Sequence, residues 1–298
     1  MALYACGTKT DEQGQELTQH GTAWFPIACY HDDLAKEPVP WHWHTELEAF
    51  VVAQGSAVAA AGAKRFLVRQ GEGFFVNSGV LHAVWDHEES GCRLCSAVFH
   101  PRLVGGGAGS VFWQNYIDPL LGNPARKSLH LKGETDWHGA AIQAIQSAWT
   151  ACVDEPPGYE FQVRDALSRL VFLLTQHGPA ASRPPTKKAL RDEARVKTMM
   201  GYIQEHYGAE LDTAAIAGSA SISESECLRC FRSTIDTPPM KYVKEVRLRK
   251  AAELLLATER GVAEIGAQCG FLDASYFTKT FREWAGCAPS EYRKQVQS

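Results

Sequence analysis

The residues best suited to chemistry lie in two stretches, PVPWHWHTELEAFVVAQG at 38–55 and GEGFFVNSGVLHAVWD at 71–86. On an extended strand alternate side chains share a face, so the spacing of His42, His44 and Glu48 lets all three point one way. His82 brings a third imidazole from the second stretch. Three imidazoles and a carboxylate suit a divalent transition metal such as zinc, iron, manganese or nickel. The same groups also suit the polar lining of an organic-ligand pocket, because burying them without a partner is costly. Trp41, Trp43, Glu46, Phe50, Phe75 and Trp85 flank them and are the candidates for the walls of such a pocket, with core packing as the plain alternative for each aromatic.

A second constellation of polar and cationic residues recurs near the other end, in SESECLRCFR at 223–232 and DASYFTKTFR at 273–282. In the latter, Tyr276, Phe277 and Phe281 read as a buried stripe. Ala274, Ser275, Thr278, Lys279 and Arg282 then fall on other faces, as small residues and cations suited to base edges and phosphates.

These residues need elements to hold them. From about Trp24 to Phe99 short apolar runs alternate with Gly55, Gly62, Gly71, Gly73 and Gly79, the pattern of an all-β barrel or sandwich. Trp137, Ala141, Ile145, Ala148 and Cys152 then recur at helical steps, as do Phe161, Leu167, Leu170, Val171 and Leu174, which predicts a helical hairpin. GPAASRPPT at 178–186 cannot continue a helix and reads as a linker. Beyond it the period is helical throughout. Asp212 or Thr213 and then Ser223 can cap two short helices joined by a turn, and the same arrangement returns about fifty residues later around Gly270 and Asp273. A long helix over Met240 to Ala257 joins the two units.

Composition narrows the function classes. The 298 residues are 45% hydrophobic and 21% charged, which excludes disorder and fibrous repeats, and no apolar run nears the length of a membrane span. The net charge of −4 is uneven: residues 187–298 carry 17 Lys+Arg and 15 Asp+Glu, a net of +2, against −6 for the rest. Nine cysteines at irregular spacing, with no secretory pattern at the N-terminus, predict reduced thiols and a cytoplasmic protein. Cys92 with Cys95, and Cys227 with Cys230, form C-x-x-C pairs without zinc-finger spacing and read as core thiols.

IGAQCGFLDASYFTKTFREWAGCAPSEYR at 265–293 resembles the signature of the AraC/XylS family of transcription regulators. Ile265, Cys269, Gly270, Phe271, Asp273, Ser275, Tyr276, Phe277, Phe281, Arg282, Gly286, Pro289, Tyr292 and Arg293 match, while Gly266 and Lys279 depart from the usual Ala and Arg. The first unit departs further, with Glu226 in place of an aromatic and Glu224 adding negative charge. The resemblance implies two helix-turn-helix units set into successive major-groove segments of a promoter operator. Ser223, Ser225, Arg229 and Arg232 are the candidate contacts of the first unit, where a solvated surface arginine is the alternative, and Ala274, Ser275, Thr278, Lys279 and Arg282 those of the second.

The N-terminal stretches resemble the cupin superfamily. His42, His44, Glu48 and Gly55 meet its first motif, without the Gly that should precede His42. Gly71, Gly79 and His82 meet the second, with Asn77 for Pro and Asp86 for Asn. The expected fold is therefore an α+β multidomain chain. A cupin-like β-barrel (double-stranded β-helix) spans about 20–105 and helices span about 110–178, together forming a 20–178 effector-binding and dimerisation domain. A linker at 179–190 and an all-α double helix-turn-helix domain at 191–298 follow. The expected function is a regulator, not an enzyme, controlled by a small effector or metal in the barrel. It requires no cofactor beyond that metal, and its partners are double-stranded DNA, a second copy of itself and RNA polymerase. The rival is a metal-dependent cupin enzyme, a dioxygenase or isomerase, fused to a DNA-binding domain.

Overall fold

The computed structural model describes residues 15–180 and 186–294. The chain divides into two compact units, one running from Gln15 to Lys187 and the other from Lys188 onward. No helix among the described residues is long and apolar enough to cross a membrane.

In the first unit the strands are β1 (Ile27–Asp33), β2 (Val39–His42), β3 (Leu47–Gln54), β4 (Ser56–Ala61), β5 (Lys64–Arg69), β6 (Gly73–Val76), β7 (His82–Asp86), β8 (Arg93–Phe99) and β9 (Ser128–Leu131). They form two antiparallel sheets, in the orders β1-β8-β3-β6-β9 and β2-β7-β4-β5. The continuous apolar run of β3 is explained by burial of both its faces. Phe50 and Val52 join Phe74, Val84 and Leu94 between the sheets, whereas Leu47, Ala49 and Val51 pack outward with Phe75 and Phe99.

That outward face is covered by two long helices. Short helical turns α1 (Arg102–Gly105) and α2 (Asp118–Leu121) precede β9, and then come α3 (Asp136–Asp154) and α4 (Tyr159–His177). Ala141, Ile145, Ala148 and Cys152 of α3 and Leu167, Leu170, Val171 and Leu174 of α4 are buried against the five-stranded sheet. Each buried Leu, Ile or Val contributes about 1.5–3 kcal/mol. Phe161, expected on this stripe, is 80% exposed, because Val163 and Ala166 hold the inward positions of that turn. β9 lies within the segment read as purely helical. Its four residues are too short to show a period, and it becomes a strand by pairing with β6.

The second unit is all helical: α5 (Lys187–His206), α6 (Thr213–Ser219), α7 (Glu224–Ile235), α8 (Pro239–Ala257), α9 (Val262–Gln268), α10 (Ala274–Ala285) and α11 (Pro289–Lys294). α5 begins inside the segment read as linker. The expected caps form: Asp212 accepts from Ala215 N at 2.7 Å, Ser223 from Glu226 N at 3.3 Å and Asp273 from Tyr276 N at 2.6 Å. Phe277 and Phe281 are fully buried and contact each other edge to face. Tyr276, expected to share their stripe, is instead 55% exposed, since Thr280 takes the third buried position. A Cβ at Gly266 would meet the Phe277 ring at 2.7 Å, which explains the departure from Ala there. The described cysteines are free thiols, with Cys227 and Cys230 buried in α7.

Candidate metal centre and DNA-reading face

At one end of the barrel His42, His44, Glu48 and His82 come together, with one donor atom from each lying within 4.8 Å of all the others. The route differs from the single strand suggested by their spacing. β2 ends at His42 in one sheet, β3 begins at Leu47 in the other, and His44 sits in the link between them. His82 opens β7 directly opposite His42. All four side chains are buried.

The histidines are oriented alike. His42 Nδ1 lies 2.8 Å from Pro40 O, His44 Nδ1 3.2 Å from Glu46 O and His82 Nδ1 2.8 Å from Val80 O. A carbonyl only accepts, so each Nδ1 carries the proton and donates, and each Nε2 faces the cluster. The Nε2 atoms of His44 and His82 lie 3.1 and 2.9 Å from Glu48 Oε2. This anchoring of the distal ring nitrogen is how metal-ligating histidines are held in proteins.

The electrostatics follow from that packing. Burial, reinforced by His82, pushes His42 down to about 3, so its ring is neutral. Burial works to raise Glu48, but His82 and His44 outweigh it and hold the carboxyl well below its ordinary value. Burial works to lower His82, and Glu48 outweighs that in turn, raising it. A carboxylate with a neutral and a protonatable imidazole beside it, all out of water, fits a divalent cation that displaces protons on binding.

The candidate pocket walls do not surround this cluster as a set. Phe50 faces the interior and stacks near Phe74. Phe75 pairs with Ala49, so it points to the opposite face and packs under the helices, and it cannot line the barrel interior. Trp85 pairs with Val58 on the outer face of the four-stranded sheet. There the Arg65 guanidinium lies 5.2 Å from the Trp41 ring and 5.4 Å from the Trp85 ring, a cation–π clasp that accounts for both tryptophans. Trp43 is half-buried, and its carbonyl accepts from Glu16 N at 2.8 Å. Glu46 fixes His44 through its own carbonyl. Asn77, standing where the motif has Pro, donates to Leu120 O at 2.8 Å and Arg126 O at 3.2 Å, so it ties the barrel to α2 and to the segment after it.

In the second unit Ala274, Ser275, Thr278, Lys279 and Arg282 line a shallow concave strip along α10, with Glu283 beside it. On α7, Ser223, Ser225 and Arg232 are exposed. Arg229 is not free. Its guanidinium meets both carboxylate oxygens of Asp192 on α5, at 2.8 and 3.0 Å, and Glu226 Oε1 at 2.8 Å. Arg195 adds a 3.0 Å bond to Glu226. Sequence reasoning missed Asp192, Glu16 and His20, because no motif or periodicity marks their contacts with residues on other elements: Asp192 with Arg229, Glu16 with His42 and His20 with Tyr30. It also passed over Leu228, exposed on α7 in line with Ser225 and Arg232, where an apolar side chain can meet a thymine methyl.

Both halves have known counterparts. Residues 25–132 match the AraC-like ligand binding domain and residues 216–295 a helix-turn-helix domain. The chain is therefore a DNA-binding transcription regulator with an N-terminal ligand-binding domain. It belongs to the AraC/XylS family. It is 27% identical over 287 residues to the HTH-type transcriptional regulator YdeC of Bacillus subtilis, covering 95% of this chain and 97% of that protein. It is 22% identical over 260 residues to the transcriptional activator RhaR of Mannheimia succiniciproducens, covering 87% and 88%. A crystal structure of an apo ToxT variant from Vibrio cholerae is similar at 14% identity with a TM-score of 0.48, covering 93% of this chain and 99% of that one.

Proposed function

We propose that this regulator responds to a divalent transition-metal ion held by Nε2 of His42, His44 and His82 and the carboxylate of Glu48. The observation that carries this reading is the shared orientation of the three rings, each with its Nδ1–H tied to a backbone carbonyl and its Nε2 turned to one point. An organic effector is less well served, because Phe75, Trp41 and Trp85 face away from the cluster. That the relatives are transcription regulators supports sensing over turnover. The ion's contribution is charge neutralisation and a fixed geometry for the four donors. Occupancy shifts DNA affinity only if the DNA-competent and incompetent states bind the ion unequally.

On this reading the protein works in the cytoplasm as a homodimer on a promoter operator and signals to RNA polymerase. DNA is contacted by Ala274, Ser275, Thr278, Lys279 and Arg282 of α10 and by Ser223, Ser225 and Arg232 of α7. Arg229 serves the fold of the first unit. The test is elemental analysis of protein purified without chelator, beside promoter-fragment anisotropy with and without added metal. Near-stoichiometric metal is expected in the wild type and none in a His42→Ala, His82→Ala double variant. Metal should change DNA affinity by about 5–150-fold in the former only. A wild type that neither retains nor takes up metal overturns the reading.

A further inference from the structure

The outward faces of α7 and α10 occupy matching positions and carry different chemistry. On α10 that face is built from Ala274, Ser275, Thr278, Lys279 and Arg282, which are small, polar or cationic and line the concave strip. Fifty residues earlier α7 holds Glu224, Ser225, Leu228, Arg229 and Arg232 at the same positions. Arg229 is drawn into the carboxylates of Asp192 and Glu226. Glu224 is exposed and bears a charge that phosphates repel. Of the two cations in α7, Arg232 is the one left exposed.

Leu228 stands on this face, three residues after Ser225 and four before Arg232, and is 48% exposed. The core stripe of α7 is complete without it, since Cys227, Cys230 and Phe231 are fully buried. A single exposed leucine is ordinary on a protein surface. Its place is what matters here, because the residue at that position of the second unit, Thr278, lies in the strip of α10.

An alkyl side chain neither donates nor accepts a hydrogen bond, so Leu228 cannot read the donors and acceptors that mark guanine, adenine and cytosine. The apolar feature among the major-groove edges of the four bases is the C5-methyl of thymine. Against any other base edge the leucine would strip water from polar groups and offer them nothing in return. With Arg229 held in its clasp, discrimination at this point of the face falls to Leu228.

We propose that Leu228 is a specificity-determining residue of the first helix-turn-helix unit, reading a thymine through its methyl group. This rests on α7 being a DNA-contacting helix, as proposed above. The first unit then selects by apolar contact at the position where the second, through Thr278, offers a hydroxyl.

The test uses the full-length chain to select its site from random DNA duplexes. Each thymidine of the selected site is then replaced singly by deoxyuridine, which keeps the base pair and removes only the methyl. Anisotropy compares wild type with Leu228→Ala, Leu228→Met and Arg232→Ala, and near-UV circular dichroism checks folding. Leu228→Gln carries the comparison should the Ala variant lose that signal. At one thymidine or more, the replacement is expected to weaken wild-type binding about fourfold, the worth of one buried methylene-sized group. At one of these positions the effect should vanish in Leu228→Ala and persist in Leu228→Met and Arg232→Ala. A wild type indifferent to every methyl overturns the proposal, as does a methyl effect that survives in Leu228→Ala at every position. Arg232→Ala should itself weaken binding to modified and unmodified sites alike. Wild-type affinity in both Arg232→Ala and Leu228→Ala would instead remove α7 from the DNA, and with it the reading on which the proposal stands.

Discussion

The two helix-turn-helix units repeat one pattern but hold their central cation in opposite ways. Fifty residues apart, α7 and α10 carry Ser225 and Ser275, Leu228 and Thr278, Arg229 and Lys279, Arg232 and Arg282. The Lys279 side chain is 76% exposed and its carboxylate neighbour, Glu283, is 4.0 Å away. Arg229 at the matching position is clasped by Asp192 and Glu226, and Asp192 is buried. Removing the arginine would leave a desolvated carboxylate without its partner, which is what makes such a pair structural. A cation at a reading position is therefore a DNA contact only once the carboxylates around it have been counted.

The cores differ as well, and there the largest effects are expected. Phe277 of α10 corresponds to Cys227 of α7, and both are fully buried. Phe277→Ala should destabilise the second unit by about 3–5 kcal/mol. Cys227→Ala removes a single sulfur and should cost a fraction of that. Calorimetric unfolding of the full chain reads both, and equal losses would mean that the two units do not share out their core as the buried rings indicate.

Next in size are the outward cations. Lys279→Ala and Arg282→Ala should each weaken operator binding by about 1–3 kcal/mol, roughly 5- to 150-fold, and flatten its salt dependence, without moving the unfolding temperature. Arg229→Ala should do the reverse, lowering the unfolding temperature more than the DNA affinity. If Arg229→Ala costs binding as much as Lys279→Ala does and leaves stability intact, the ion pair opens on DNA and the contrast between the units disappears.

The same pair gives a pH signature. Hydrogen bonds from Arg229 hold the Asp192 carboxyl below its ordinary 3.8. A depressed carboxyl adds stability that is complete above the ordinary value and is lost as pH falls through the folded one. Wild-type stability should thus decline below about pH 4, and the Arg229→Ala variant should show a shallower decline in acid denaturation followed by circular dichroism.

What the sequence made legible was local. Asp212, Ser223 and Asp273 declare their helices because a cap acts within three residues. The paired helix-turn-helix pattern is readable from its own repeat. Placing Phe75 beside Phe50 on a pocket wall failed because residues on adjoining strands face as the register dictates, and a shift of one residue reverses every side chain. Glu16, His20 and Asp192 stayed hidden for a different reason. Each acts through a partner on another element, and neither periodicity nor motif spacing records which elements meet.

The smallest expected effect concerns the turns. The first unit turns at Ser221 with φ of +55°, the second at Gly270 with φ of +80°. A left-handed backbone costs a residue with a Cβ about 1–2 kcal/mol, and glycine nothing comparable. Glycine also loses more freedom on folding, which returns about 0.5–1 kcal/mol of that difference. Ser221→Gly should therefore stabilise the first unit by about 0.5–1 kcal/mol, and Gly270→Ser should destabilise the second by more. The excess arises because a Cβ at Gly270 would meet Tyr207 O at 2.7 Å and the Arg247 guanidinium at 2.9 Å. Arg247 is held there by bonds to Tyr207 O at 2.8 Å and Ala209 O at 2.7 Å, so it cannot yield cheaply. Denaturant titration of the two variants separates backbone strain, common to both turns, from the crowding that belongs to the second turn.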